Sequence, residues 1–249
     1  MTPPDDTETG RISARLATAR RRTIIAAAGA GAVSLAAARR AEAAAVDPYS
    51  SGKLGNWRAY GRAASRASVD RSVAAHPDGV RLVGDSIANG VLRPLTTAFA
   101  NRGRPMSWDA WAGRPTAPLV DSVRACVDAG TMPPTLVVVS GANDIFASAA
   151  FEPAARRLLA AVPESTRVLW VTPSVQRRTS PTPDVRNSAL VGLALERAAA
   201  TRENLTLVRW FEFLAAKPAT RIPAYLVDGV HPTNPRGYAA LVSLVLAAA

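Results

Sequence analysis

The sequence predicts an α/β domain: a mostly parallel sheet covered by helices on both faces. Two observations carry this. From residue 79 onward, short apolar runs alternate with longer stretches of helical character, the pattern of repeated strand–helix units. One of those runs, "TLVVV" at Thr135–Val139, holds no charge on either parity, as a strand buried on both faces requires. Open sheets of this kind bind ligands at the carboxyl ends of their strands. The residues just after each apolar run are therefore where a site belongs.

The elements follow in order. "GVRLVGDS" is the first strand and runs into Gly84-Asp85-Ser86. "IANGVLRPLTTAFANRG" reads as a helix with a glycine-bounded end. "MSWDAWAG" is a strand, and "APLVDSVRACVDAG" a helix closed by Gly130. "TLVVVSGAND" is the clearest buried strand, followed by the helix "FEPAARRLLAAV". "TRVLWVTPS" is a strand, "DVRNSALVGLALERAAATR" a long helix and "LTLVRW" the last strand. A long connection then leads to the final helix, "NPRGYAALVSLVLAAA".

The strand ends collect a specific inventory. Ser86 follows the first strand and Gly113 the second. Asn143 and Asp144 follow the third, and Asp228 and His231 come after the last. A serine hydroxyl is a poor nucleophile until a base takes its proton. His231, one of only two histidines in the chain, can be that base, with Asp228 holding its other ring nitrogen. A spacing of three lets one turn present both side chains to the same place. Attack on an acyl carbon creates an oxyanion, which the N–H of Ser86, the N–H of Gly113 and the side-chain amide of Asn143 are placed to receive. Glycine at 113 lets the backbone approach closely. Arg114 beside it reads as a solvated loop arginine that pairs locally, or as a contact for an anionic substrate.

Each fragment alone has a plain explanation. Gly-Asp-Ser is a common turn and helix cap. "GAND" and "DGVHP" serve equally well as loops. All four in this order, each after its own strand, are not explained that way. The order Ser…Asp…His also suits the α/β-hydrolases. However, Ser86 lies in no G-x-S-x-G elbow, and Asp228 and His231 are too close together for that layout.

"GDSI" at 84–87, Gly113, "GANDI" at 141–145 and "DGVHPT" at 228–233 resemble the blocks of the SGNH (GDSL-like) hydrolase family. The resemblance covers residues 79–249, with Ile87 where leucine is common in the family. It implies a three-layer α/β/α flavodoxin-like sandwich with a five-stranded parallel sheet, and neither metal nor organic cofactor. By position, Ser86 would be the nucleophile, His231 the base and Asp228 its orienter. Ser86, Gly113 and Asn143 would form the oxyanion hole.

Outside that domain the chain carries an address. "RRR" at 20–22 precedes Ile24-Ile25 and an Ala-rich apolar stretch to Ala38, and "AEAAA" at 41–45 offers small residues for cleavage. Residues 1–45 thus follow the plan of an export signal, with a twin-arginine-like start. The expected partner there is the export machinery and the expected location is outside the cell or in its envelope. "GAGAVS" at 29–34 lacks a preceding strand and the third glycine of a dinucleotide loop. Residues 46–78 read as a polar linker or as an N-terminal extension anchored by Trp57 and Tyr60. His76, before a proline, reads as a turn residue.

Composition narrows the chemistry further. The formal net charge is +11, and Lys53 and Lys217 are the only lysines. The arginines are spread along the chain and form no aromatic-interleaved cluster, which argues against nucleic acid. An anionic cell-envelope polymer remains a reasonable partner. Cys126, the single cysteine, can form no intramolecular disulfide and reads as a buried thiol. No metal-binding spacing occurs. The expectation is an exported serine esterase acting on carboxylic esters with short acyl chains. The alternatives are an acyltransferase on the same site and, from another class, a non-catalytic basic wall- or glycan-binding protein.

Overall fold

The computed structural model describes residues 56–249. The export segment read at 1–45 lies outside the described residues, as does the start of the 46–78 segment. The strands are β1 (Arg62–Ala64), β2 (Val80–Gly84), β3 (Met106–Trp111), β4 (Thr135–Val139), β5 (Arg167–Val171) and β6 (Leu205–Val208). The helices are α1 (Ala67–Ala74), α2 (Ser86–Ala100), α3 (Thr116–Asp128), α4 (Ser148–Ala161), α5 (Pro181–Ala199), α6 (Trp210–Ala215) and α7 (Arg236–Ala248). The sheet order is β1-β3-β2-β4-β5-β6. Strands β2 to β6 are parallel, and β1 pairs antiparallel with β3. Helices α2 and α7 pack together on the sheet, and α3, α4 and α5 pack as a second row.

The α/β class and the five parallel strands agree with the sequence. The sixth strand does not: the resemblance implies a five-stranded sheet, and an antiparallel edge strand is added. The physical reason it went unread is its composition. Arg-Ala-Ala has no apolar alternation, and its side chains are half or fully exposed. Its contribution is made by the backbone ladder, which covers the edge of β3.

Residues 57–74 fold onto this sheet. Trp57 is buried and meets Trp111 of β3 edge to face, with ring centroids 4.5 Å apart. The Trp111 indole N–H donates to the Tyr60 carbonyl at 2.8 Å. Asp70 of α1 accepts from Arg81 at 3.0 Å, and Arg81 is a charge inside a fully buried strand. A buried guanidinium needs such a partner.

The centre of the sheet is Val and Leu, as expected of strands covered on both faces. β2 and β4 are buried at every position. Trp170 of β5 is fully buried, lies edge to face with Phe151 of α4 at 5.9 Å, and donates its N–H to the Ser140 carbonyl at 3.1 Å. Core packing is thereby joined directly to the loop after β4. Cys126 is buried with its sulfur 3.3 Å from the Thr131 hydroxyl.

Trp170→Ala should destabilise the protein by about 3–5 kcal/mol, the range for a large aromatic removed from a core. Trp170→Phe should cost about 1–3 kcal/mol, chiefly by leaving the Ser140 carbonyl unpaired. Urea unfolding midpoints of the two variants check the order. Equal losses would mean that the hydrogen bond, absent from both variants, accounts for the effect and that the ring's packing adds nothing to it.

Candidate active site

The parallel strands end side by side, and β2 and β4 are neighbours at the point where the chain changes direction across the sheet. Such a crossover leaves a crevice at the strand ends. Gly84 makes the close approach there. A Cβ on it would stand 2.2 Å from the Val139 carbonyl oxygen, so no larger residue fits. Asp85 then caps α2, its carboxylate accepting the Ile87 N–H at 2.9 Å. Ser86 is the first residue of that helix. First-turn N–H groups have no acceptor within their own helix, so the Ser86 N–H is not consumed by α2. The positive end of the helix dipole faces the same space.

His231 arrives from a turn of its own. Its Nε2 lies 2.9 Å from Ser86 Oγ, and its Nδ1 lies 2.7 Å from Asp228 Oδ2. A carboxylate on Nδ1 selects the tautomer with its proton there, which leaves Nε2 free to accept from the serine hydroxyl. The other oxygen of Asp228 accepts the N–H groups of Val230 and His231 at 2.9 and 2.8 Å. One carboxylate thus closes the turn and orients the ring. Burial pushes its pKa up, but the bonds from His231 and Val230 outweigh this and hold it below the usual carboxylate value. Gly229 between them has φ +85°, and a Cβ there would meet the Gln176 carbonyl oxygen at 2.3 Å. Gln176 in turn donates its N–H to the Gly229 carbonyl at 2.8 Å. Behind the turn, Phe213 stacks on Trp210 and meets Tyr225 edge to face.

The remaining two candidates sit on adjoining loops. Gly113 occupies the turn after β3 with φ +74°. Its vacant Cβ position lies 3.0 Å from the Tyr60 ring, so the N-terminal segment walls this turn. Asn143 donates its side-chain amide to Asp85 Oδ2 and to the Arg114 carbonyl, both at 3.3 Å. Bonds of that length are weak and yield readily to a stronger acceptor such as an oxyanion. The structure therefore draws Ser86, Asp228 and His231 into one hydrogen-bonded chain. Asn143 is tied to the residue before Ser86 and to the residue after Gly113.

Residues to which the sequence assigned no catalytic role hold these loops. Asp144 accepts the Thr116 N–H and hydroxyl, at 3.1 and 2.9 Å to Oδ2, and Thr116 is 2.7 Å from the Ser140 hydroxyl. This pins the loop after β4 to the start of α3. Burial raises Asp144 to about 6, against the opposing Thr116 bonds. Burial raises Asp85 to about 7, opposed by the Ile87 N–H and by His231. Arg114 corrects an expectation: it is not a solvated loop residue but is buried, 2.9 Å from Asp109. Burial would raise Asp109, but Arg62, Arg114 and Ser122 hold it at about 2. A lone acid inside the apolar run "MSWDAW" was the available signal, because buried carboxylates call for partners. His76 is a turn residue whose ring nitrogen accepts the Asp78 N–H at 3.1 Å.

Comparison with known proteins matches this architecture. No family model and no curated protein matches the sequence. Among solved structures, a lipase/acylhydrolase from Enterococcus faecalis is similar over 68% of this chain and 93% of its own, at 22% identity and TM-score 0.56. The C-terminal catalytic domain of peptidoglycan O-acetyltransferase A from Streptococcus pneumoniae is similar over 69% and 92%, at 20% identity and TM-score 0.55. An acetylxylan esterase from Geobacillus stearothermophilus is similar over 68% and 92%, at 16% identity and TM-score 0.51. The fold is that of the SGNH hydrolases.

The raised pKa of Asp144 makes a prediction about stability. The native state keeps this proton to higher pH than the unfolded chain does. The resulting stabilisation is complete below the ordinary value of 3.8 and is lost as pH rises through about 6. Wild-type stability in urea should decline across that window. Asp144→Asn should start from a lower value, having lost an acceptor for Thr116, and decline less steeply. Parallel curves for the two proteins would mean that Asp144 is ionised throughout.

Proposed function

We propose that the protein is an exported serine esterase that hydrolyses short-chain carboxylic esters. The observation that carries the reading is the Ser86–His231–Asp228 relay, with contacts of 2.9 and 2.7 Å. In the proposed reaction Ser86 Oγ attacks the ester carbonyl while His231 Nε2 takes its proton. The carbonyl oxygen becomes an oxyanion facing the N–H groups of Ser86 and Gly113 and the Asn143 amide. Collapse breaks the ester C–O bond, and the imidazolium returns its proton to the leaving alkoxide. Water then repeats the attack on the acyl-serine, losing its proton to His231, and releases the carboxylic acid and the free serine. Asp228, held in its ionised form, stabilises the imidazolium in both halves.

Transfer of the acyl group to a sugar hydroxyl is the second reading, favoured by the likeness to a peptidoglycan O-acetyltransferase. The two differ only in what reaches the acyl-serine. The side chains of His231 and Asp228 are 36% and 51% exposed, so water has ready access, which favours hydrolysis. Export rests on the residue pattern at 1–45 and would place glycan and lipid esters within reach. A purely binding role would leave the assembled relay without a use.

Labelling with a fluorophosphonate probe, together with turnover of p-nitrophenyl acetate, tests the reading. Both should be lost in Ser86→Ala, and His231→Ala should lose most of kcat. Near-wild-type turnover in either variant would remove that residue from the mechanism. Labelling without hydrolysis, relieved by an added sugar acceptor, would establish the transferase instead. Asn143→Ala should lower kcat by roughly 10²–10³, the cost of one oxyanion donor. An unchanged kcat would take Asn143 out of the oxyanion hole.

A further inference from the structure

We propose that Arg114 is a positioning residue that fixes the oxyanion-binding groups, an inference that rests on the esterase reading. Its side chain is almost fully buried. One terminal nitrogen donates to Asp109 Oδ2 at 2.9 Å. The other donates to the Gly84 carbonyl at 3.0 Å and to the Asp109 carbonyl. Gly84 ends β2 two residues before Ser86, and Asp109 lies in β3, paired with Val83. The guanidinium therefore clamps the end of the nucleophile's strand to the strand that leads into Gly113.

The backbone of the same residue completes the arrangement. Its N–H donates to the Trp111 carbonyl at 3.1 Å, which closes the turn containing Gly113. Its carbonyl accepts from the Asn143 amide at 3.3 Å. One residue thus touches all three sources of proposed oxyanion donors: the strand feeding Ser86, the turn of Gly113 and the side chain of Asn143. Asp109 is held in turn by Arg62 at 2.8 Å and by the Ser122 hydroxyl. A planar fork with several donors can reach two carbonyls and a carboxylate at once, where an ammonium cannot. Arg114 itself need never meet the substrate.

A residue that sets the donors acts on the tetrahedral state more than on the bound ester. In the full chain, Arg114→Lys keeps the buried charge beside Asp109 but loses the fork. It should fold, with a circular dichroism spectrum like that of the wild type. Its kcat for p-nitrophenyl acetate should fall about tenfold or more while KM changes less than threefold. Affinity for an alkylboronic acid, which forms a tetrahedral adduct on the serine, should weaken by the same factor as kcat/KM. Arg114→Ala should lose more, and added guanidinium ion should restore part of its kcat.

Were Arg114→Ala too unstable to assay, the kinetics of Arg114→Lys would still decide. Wild-type kcat and boronate affinity in a folded Arg114→Lys would overturn the inference, leaving a purely structural ion pair. A rise in KM at constant kcat would also overturn it, since that marks ordinary substrate binding. Failure of the underlying reading shows elsewhere, as wild-type protein whose turnover or labelling does not depend on Ser86, and it would take this inference with it.

Discussion

The close contact of β2 with β4 at Gly84 is the constraint from which the site follows. Parallel strands must reach one another through crossover helices, so their carboxyl ends all open on the same rim. Gly84 brings the two central strands near enough that no side chain fits between it and Val139. The next residue turns the chain out of the sheet, and Asp85 caps the helix that begins at Ser86. The Ser86 hydroxyl is thereby fixed by a strand below and a helix beyond. His231 is placed by different means. Its turn is closed by its own Asp228 and wedged on Gln176. Ser86 and His231 are thus positioned by separate devices that meet at one hydrogen bond.

Four carboxylates at this rim show how environment divides one chemistry into several roles. Asp109 has two arginines and a hydroxyl, and they outweigh its burial. Asp228 is half exposed and fed by two N–H groups and the imidazole, so it too stays ionised. Asp85 and Asp144 are more deeply buried with only neutral donors bonded to them, and their protons are held to higher pH. A protein interior tolerates a charge where a countercharge stands beside it. The charged acids are accordingly those that meet a guanidinium or an imidazole. The acids that tie loop to loop through hydroxyls and backbone N–H groups are held nearer neutrality.

What was legible in the sequence was whatever leaves a periodic or chemical trace. "TLVVV" read as a buried strand because it has no charged residue on either parity, and "GVRLVG" read as a strand because it is a short apolar run ending in a turn. Ser86, Asn143, Asp228 and His231 stood out because their residue types follow strands in a set order. The edge strand Arg62–Ala64 left no trace, since backbone pairing places little demand on side chains. Helix α1 falls in a stretch that reads as either a short helix or a flexible spacer, and the structure makes it a helix. Helix α6 was not read, because its six residues lie in the long connection after the last strand. Arg114 was visible but its surroundings were misjudged. Its partner Asp109 is only five residues away, but its second contact, to the Gly84 carbonyl, depends on the register of β2 against β3. Long-range register is the one thing that local pattern does not contain.

The same reasoning bears on the choice between hydrolysis and transfer. In the proposed reaction the relay would take a proton from whatever hydroxyl approaches the acyl carbon, water or sugar alike. Selection has to come from the walls around Gly113 and His231. One wall is supplied by the N-terminal segment, where Tyr60 is 43% exposed and its ring lies 3.0 Å from the vacant Cβ position of Gly113. That segment joins the sheet at the outer edge of β3. It holds on through a three-residue ladder, the buried Trp57 and the Asp70–Arg81 pair. In the proposed reaction an exposed ring at this place would be available to stack on a flat leaving group, without altering the relay. Under the esterase reading, acyl chemistry would belong to the strand ends, and any contact with the leaving group to the segment that precedes them.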